Sequence, residues 1–183
     1  MTKDEAVRLF ADMHPHFFDS DAIRGIPKEW TYNEMLLFLR DFDPGIYKRE
    51  LDPAVTFGLW QGDPAAIQAA AEAVNPGWGQ YYDGRQPVYC GVLDGVPVSI
   101  CLIADMGTHF IDGRPCRVGG PACVGTLPAY RDRGIGLTMV SRVTLILREQ
   151  GFDCSYIHYT GVAPWYEKLG YRTILCWDRD GIL

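Results

Sequence analysis

Residues 126–136 read Thr126-Leu127-Pro128-Ala129-Tyr130-Arg131-Asp132-Arg133-Gly134-Ile135-Gly136 and stand between a strand-like and a helix-like segment. The strand spans about Cys116 to Leu127. The helix runs from about Gly134 to Gln150, with Ile135, Met139, Val143 and Ile146 apolar, Thr138, Arg142 and Glu149 on a wetter side, and Gly151 as the stop. Two glycines two apart let the backbone approach a ligand closely and leave amide N–H groups unobstructed. A helix start offers unpaired N–H donors and the positive end of its dipole. With Arg131 and Arg133 alongside, the turn suits a phosphate or pyrophosphate. Two common phosphate-binding patterns are excluded. Gly134-Ile135-Gly136-Leu137-Thr138-Met139 lacks the third glycine of GxGxxG, and no GxxxxGK[ST] occurs; a dinucleotide-dependent oxidoreductase stays a third reading, which thermal stabilisation by NAD(H) would mark.

Outward from this turn, the chain alternates strands and helices. Val55 to Trp60 reads as a short strand, and Asp63-Pro64 opens an alanine-rich helix through Ala73. Pro87 to Leu93 and Val96 to Asp105 flank Asp94-Gly95, a hairpin dipeptide, and Asp112-Gly113 marks a second turn before the Cys116 strand. Beyond the long helix come a strand at Cys154 to Tyr159, a short helix at Ala163 to Leu169 and a last strand at Tyr171 to Trp177. This order predicts an α+β fold, a mixed sheet covered by helices. Residues 1 to about 53 read as a helical N-terminal extension. Ala6, Leu9, Phe10 and Met13 recur at helical spacing, and a second amphipathic segment after Pro27 carries Trp30, Met35, Leu36 and Phe38. Asp43-Pro44-Gly45 and Asp52-Pro53 are breakers that set a boundary there, leaving 54–183 as the main domain.

The chain has 183 residues, 48% hydrophobic and 22% charged, which is enough for one core and excludes disorder. Its net charge of −6 is unevenly spread. Residues 1–110 hold 8 Lys/Arg against 16 Asp/Glu, whereas residues 111–183 hold 9 against 7. Such an asymmetry suggests an anion-binding C-terminal part, although the counts alone favour a solvated face, and no nucleic-acid partner is expected. Val96 to Ile103 is the longest apolar stretch, interrupted by Pro97 and Ser99 and far short of the ~20 residues of a membrane span. The charged start MTKDEAVRLF lacks a signal peptide's apolar core, so a cytoplasmic protein is expected. Six cysteines are scattered singly without CxxC spacing, as reduced core residues would be, and His14-Pro15-His16 has no further ligand at metal spacing. No metal is expected.

The pattern V/T-x-P-x-x-R-x-x-G-x-G between strand and helix resembles motif A of the GNAT acetyltransferase superfamily. Trp165-Tyr166-Glu167-Lys168-Leu169-Gly170-Tyr171 resembles its motif B, and it falls after the next strand, where the family places it. The resemblance covers about residues 54–183. It implies a mixed, mostly antiparallel central sheet and acetyl-CoA (coenzyme A) as co-substrate. Val124, Gly125 and Thr126 would pair with the pantetheine arm, while Arg131, Asp132, Arg133, Gly134, Ile135, Gly136 and Leu137 would hold the pyrophosphate. Tyr166 matches the family's general acid, a phenol that stays protonated at neutral pH and protonates the departing thiolate. The resemblance thus implies transfer of an acetyl group to a primary amine by direct attack. The alternative is a catalytically weak GNAT-fold protein that binds or senses acyl-CoA.

One family residue is missing. The glutamate that often serves as base falls near Gly119-Gly120 here. His158 is the best titratable candidate, its other reading being a satisfied core histidine. His109 and Asp105 are weaker, and Cys123 is read as buried and unreactive. The acceptor side is acidic and aromatic, with Trp30, Tyr32, Asp41, Asp43, Trp60 and Trp78, which suits a cationic small-molecule amine with an apolar body, the equal reading being solubilising acidic loops and core aromatics. No oligomeric state is readable.

Overall fold

The computed structural model describes all 183 residues. Helix α1 (Lys3–Met13) and a one-turn α2 (Asp21–Arg24) precede β1 (Tyr32–Phe38). Then follow β2 (Thr56–Leu59), α3 (Pro64–Val74), β3 (Val88–Leu93), β4 (Val96–Ile111), β5 (Arg114–Thr126) and α4 (Ile135–Glu149). The chain ends with β6 (Cys154–Thr160), α5 (Ala163–Glu167), β7 (Arg172–Asp178) and a two-residue β8 (Gly181–Ile182). The strands form one sheet in the order β2-β3-β4-β5-β6-β1-β7-β8. Every neighbouring pair is antiparallel except β5 and β6, which the α4 crossover makes parallel. No helix is long and apolar enough to cross a membrane.

Local chemistry explains most element ends. Asp63 caps α3 by accepting from the Ala65 amide at 2.9 Å, with Pro64 in the first turn. Thr2 and Glu5 form a reciprocal capping box on α1. Asp94-Gly95 and Asp112-Gly113 all take positive φ, the conformation that tight hairpins require.

The segment after Pro27 corrects the helical expectation, because residues 32–38 form β1, which lies inside the sheet between β6 and β7. Met35 and Leu37 point to the face covered by α4 and α5, while Leu36 packs on the α1 face with Leu9, Val118 and Tyr156. A strand buried on both faces shows a continuous apolar run rather than alternation, and such a run is indistinguishable from a helical stripe by periodicity alone. The other strands have the expected order, with β4 longer than read and β8 unforeseen. On one face of the sheet α4 and α5 cover Met35, Leu37, Cys101, Ile103 and Ile157. On the other α1 covers Leu36, Val118 and Tyr156, and α3 covers Cys90, Ile100 and Leu102.

Candidate acyl-transfer site

The α4 helix begins with its amides uncapped. Gly134 precedes it at φ +82°, no side chain bonds the first turn, and the first backbone bond to close is Thr138 N–H to Gly134 C=O at 3.1 Å. The amides of Ile135, Gly136 and Leu137 therefore remain donors at the positive end of a 15-residue helix. Pro128–Tyr130 makes a 3₁₀ turn that brings the chain round from β5. Arg131 Nε donates to Thr126 C=O at 3.1 Å, and Arg133 donates to Ala129 C=O at 2.9 Å while lying over the Tyr130 ring. Both arginines thus fold the turn as well as charge it. Sequence reasoning missed Arg49, which donates to Asp132 C=O at 2.6 Å and lies against Gly134, where a Cβ would come within 2.5 Å of its Cδ. No motif marks this arginine, since it comes from the irregular segment before β2.

A cleft of about 410 Å³ joins these pieces. Val124, Gly125, Thr126, Arg131, Asp132, Gly134, Ile135, Gly136, Leu137 and Tyr166 all line it, together with Arg49. Arg133 stands outside the lining, on the exposed side of the turn. A larger cleft, of about 780 Å³, lies along β1 and β7 and contains none of these residues.

The cleft exists because two parallel strands part. β5 and β6 are paired only at Val118–Cys154 and Gly119–Ser155. Just beyond, the backbones touch, for a Cβ on Gly120 would stand 2.1 Å from Tyr156 O. Three residues further on, Cys123 and Tyr159 occupy equivalent register positions and both take left-handed φ, +47° and +57°. A side-chain-bearing residue held there carries strain of order 1 kcal/mol or more. Both strands kink at the same level and separate. Gly125 and Thr126 keep β4 partners on one side, and no strand pairs with their other edge, where Arg131 Nε meets the Thr126 carbonyl.

Tyr166 is buried in α5 against Leu137, Val140, Ile157 and Tyr171. Burial raises its hydroxyl well above the usual phenol value, with the neighbouring Tyr171 adding to the effect. It is a proton donor at any physiological pH.

His158 is not among the residues that line this cleft. Its side chain projects on the opposite face of the sheet, among Phe10, His14 and Phe17. There it meets Glu34, a fully buried carboxylate that the sequence did not single out. Nitrogen and oxygen atoms of His14, Glu34 and His158 lie within 4.8 Å of one another, a spacing that suggests metal ligation. The rings of His14 and His158, however, are stacked at 3.8 Å and only 16° from parallel. A metal lies in the plane of each imidazole that binds it, and two stacked parallel rings have no such point in common. The cluster is a ring stack with a carboxylate hydrogen-bonded to one of its imidazoles.

The weaker candidates are engaged elsewhere. His109 bonds Asp12 and Met106 C=O through its two nitrogens. Asp105 bonds Arg117, which with the Gly107 amide lowers its pKa. Burial raises the Cys123 thiol, so it is not a ready nucleophile. At Gly119 and Gly120 no side chain fits, because Ala104 O and Tyr156 O close both positions. The missing carboxylate has a steric cause.

No family model matches the sequence. Over 48 residues it is 44% identical to a candidate acetyltransferase of Bacillus subtilis (strain 168), a match spanning 26% of this chain and 33% of that protein. Among solved structures it is similar to the glucosamine N-acetyltransferase region of a fungal multidomain GH3 β-N-acetylglucosaminidase, with TM-score 0.64, 21% identity, and coverage of 82% of this chain and 20% of that one. It is also similar to a GCN5-related N-acetyltransferase of Sphaerobacter thermophilus (TM-score 0.57, 19% identity, 92% and 52% covered) and one of Kribbella flavida (TM-score 0.54, 21% identity, 79% and 55% covered). The chain thus spans about a third of the curated relative and from a fifth to just over half of these structures. By element order, sheet topology and these likenesses, the chain has the fold of the GCN5-related N-acetyltransferases, the GNAT fold.

Proposed function

We propose that this protein is an acyl-CoA-dependent N-acyltransferase that moves an acetyl group from acetyl-CoA to a primary amine. The observation that carries this reading is one cleft joining an uncapped helix start, a free strand edge and a buried phenol. The co-substrate supplies an acyl group already activated as a thioester. The amides of Ile135, Gly136 and Leu137 suit its pyrophosphate, with Arg131 and Arg49 adding positive charge at the rim. The free edge of Val124, Gly125 and Thr126 suits the amide-bearing pantetheine arm, which can hydrogen-bond there as an added strand would. Tyr166 donates its proton to the thiolate as the C–S bond breaks.

Two measurements test the reading. Coenzyme A and acetyl-CoA are expected to raise the melting temperature by mass action, and NAD to leave it unchanged. With tyramine, glucosamine and spermidine as acceptors, thiol release is expected, and Tyr166→Phe lowers it roughly 100- to 10,000-fold while the acetyl-CoA shift persists. No thermal shift with either ligand defeats the proposal. A second reading, a binding or sensing protein, is favoured by the absence of a carboxylate at Gly119–Gly120. Its signature is binding without thiol release.

A further inference from the structure

β1 presents a buried carboxylate where β6 kinks. Glu34 lies opposite the β6 irregularity formed by His158 and Tyr159. Its Oε2 accepts from His158 Nδ1 at 2.9 Å. Its Oε1 accepts from Trp177 Nε1 at 2.7 Å and from the Tyr159 amide at 3.2 Å. An ionised carboxylate can only accept, so His158 Nδ1 carries a proton and the neutral ring keeps its lone pair on Nε2. Nε2 has no protein partner, and the His158 side chain is 27% exposed.

The register shows where that nitrogen sits. Carried forward from Val118–Cys154 and Gly119–Ser155, it sets His158 across the opened gap from Ala122, and Thr160 across from Val124. His158 therefore stands at the mouth of the separation whose far face holds Tyr166. The chain's two buried side-chain polar atoms without partners, His14 Nε2 and Tyr156 Oη, also lie beside this pair. Unsatisfied polar groups concentrated at one place mark a site kept for something other than stability.

We infer that His158 takes the proton from the attacking amine and that Glu34 is the positioning residue that holds it ready. This rests on the acyltransferase reading above. In the balanced step the amine nitrogen forms the C–N bond as the C–S bond breaks. The ammonium proton passes to His158 Nε2 and the thiolate takes the Tyr166 proton, so acid and base act from opposite faces of one gap. Exchange with solvent then resets both groups. The groups facing His158 are Glu34 from β1, His14 from the end of α1, and Tyr156 and Tyr159 of its own strand, with Phe10, Phe17 and Trp177 uncharged around them.

The test uses the full chain with acetyl-CoA and the same three amines, followed by thiol release between pH 5.5 and 9. His158→Asn is expected to lower kcat roughly 100-fold or more, to remove the acid-side inflection, and to keep the acetyl-CoA thermal shift. Glu34→Gln is expected to lower kcat and to release the Nδ1-protonated tautomer of His158, because the carboxylate is what accepts from that nitrogen. A purely structural Glu34 would leave that tautomer in place, and the amine's own titration is common to all variants. An unchanged rate and inflection in His158→Asn overturns the inference. So does a wild type that is stabilised by acetyl-CoA but releases no thiol, whereas absence of both overturns the acyltransferase reading itself. Imidazole nitrogen NMR gives an answer without turnover, since Nε2-protonated neutral His158 also overturns it.

Discussion

His14 sits at the end of α1 with its ring against His158 and its Nε2 buried without a partner. Burial, with His158 acting in the same direction, pushes its pKa down to about 4, and Glu34 only partly opposes this. The unfolded chain binds a proton at this position below about pH 6.5, whereas the folded chain refuses it until about pH 4. The contribution of His14 to stability is therefore complete above pH 6.5 and lost as the pH falls from there towards 4. The urea midpoint of the wild type is expected to drop between pH 7 and pH 4.5. His14→Phe, which keeps an aromatic ring on His158 but cannot titrate, should flatten that decline. An identical decline in both proteins would show that the stack is not the titrating element. None of this was legible in the sequence, where His14-Pro15-His16 attracted notice only as a metal pair. Its partner lies 144 residues away on β6, and His16 turns outward to Asp19. The motif residues fared differently, because a turn and the helix it opens are local in sequence and their geometry follows from neighbours.

At the scale of elements, the β5–β6 pair has to touch and then part. Gly120 makes the touching possible, since any Cβ there collides with the Tyr156 carbonyl, a backbone atom that cannot swing away. Gly120→Ala is expected to destabilise the fold by about 1–3 kcal/mol, as overpacking does, and to weaken acetyl-CoA binding by shifting the start of the gap. Thermal melts with and without the ligand would read both effects, and a variant of unchanged stability would show that the strands can spread at no cost. The same element explains why the proton acceptor was only half legible. His158 could be found as a titratable residue before motif B. Glu34 could not, because an isolated glutamate in an apolar run carries no signal until that run is known to be a strand beside β6.

At the scale of the whole molecule, the division at residue 53 has a physical consequence. β1 lies before it in sequence but pairs with β6 on one side and β7 on the other. Without β1, the β7–β8 pair loses its link to the rest of the sheet, and β6 keeps only its two register positions with β5. The fully buried Met35 and the buried Leu36, Leu37 and Glu34 would leave the core together. Removing one such apolar side chain costs about 2–5 kcal/mol, against a total stability of about 5–15 kcal/mol for a typical domain. A chain of residues 54–183 is therefore expected not to fold, although it contains both recognisable motifs and most of the cleft. Circular dichroism and a denaturant titration would show the loss of the cooperative transition, and adding a peptide of residues 1–53 in trans should restore part of it. A cooperative fold for 54–183 alone would mean that β6 and β7 can close on each other without β1. β1 would then be dispensable to the sheet, and Glu34 would matter only for the hydrogen bonds it accepts from His158, Trp177 and Tyr159.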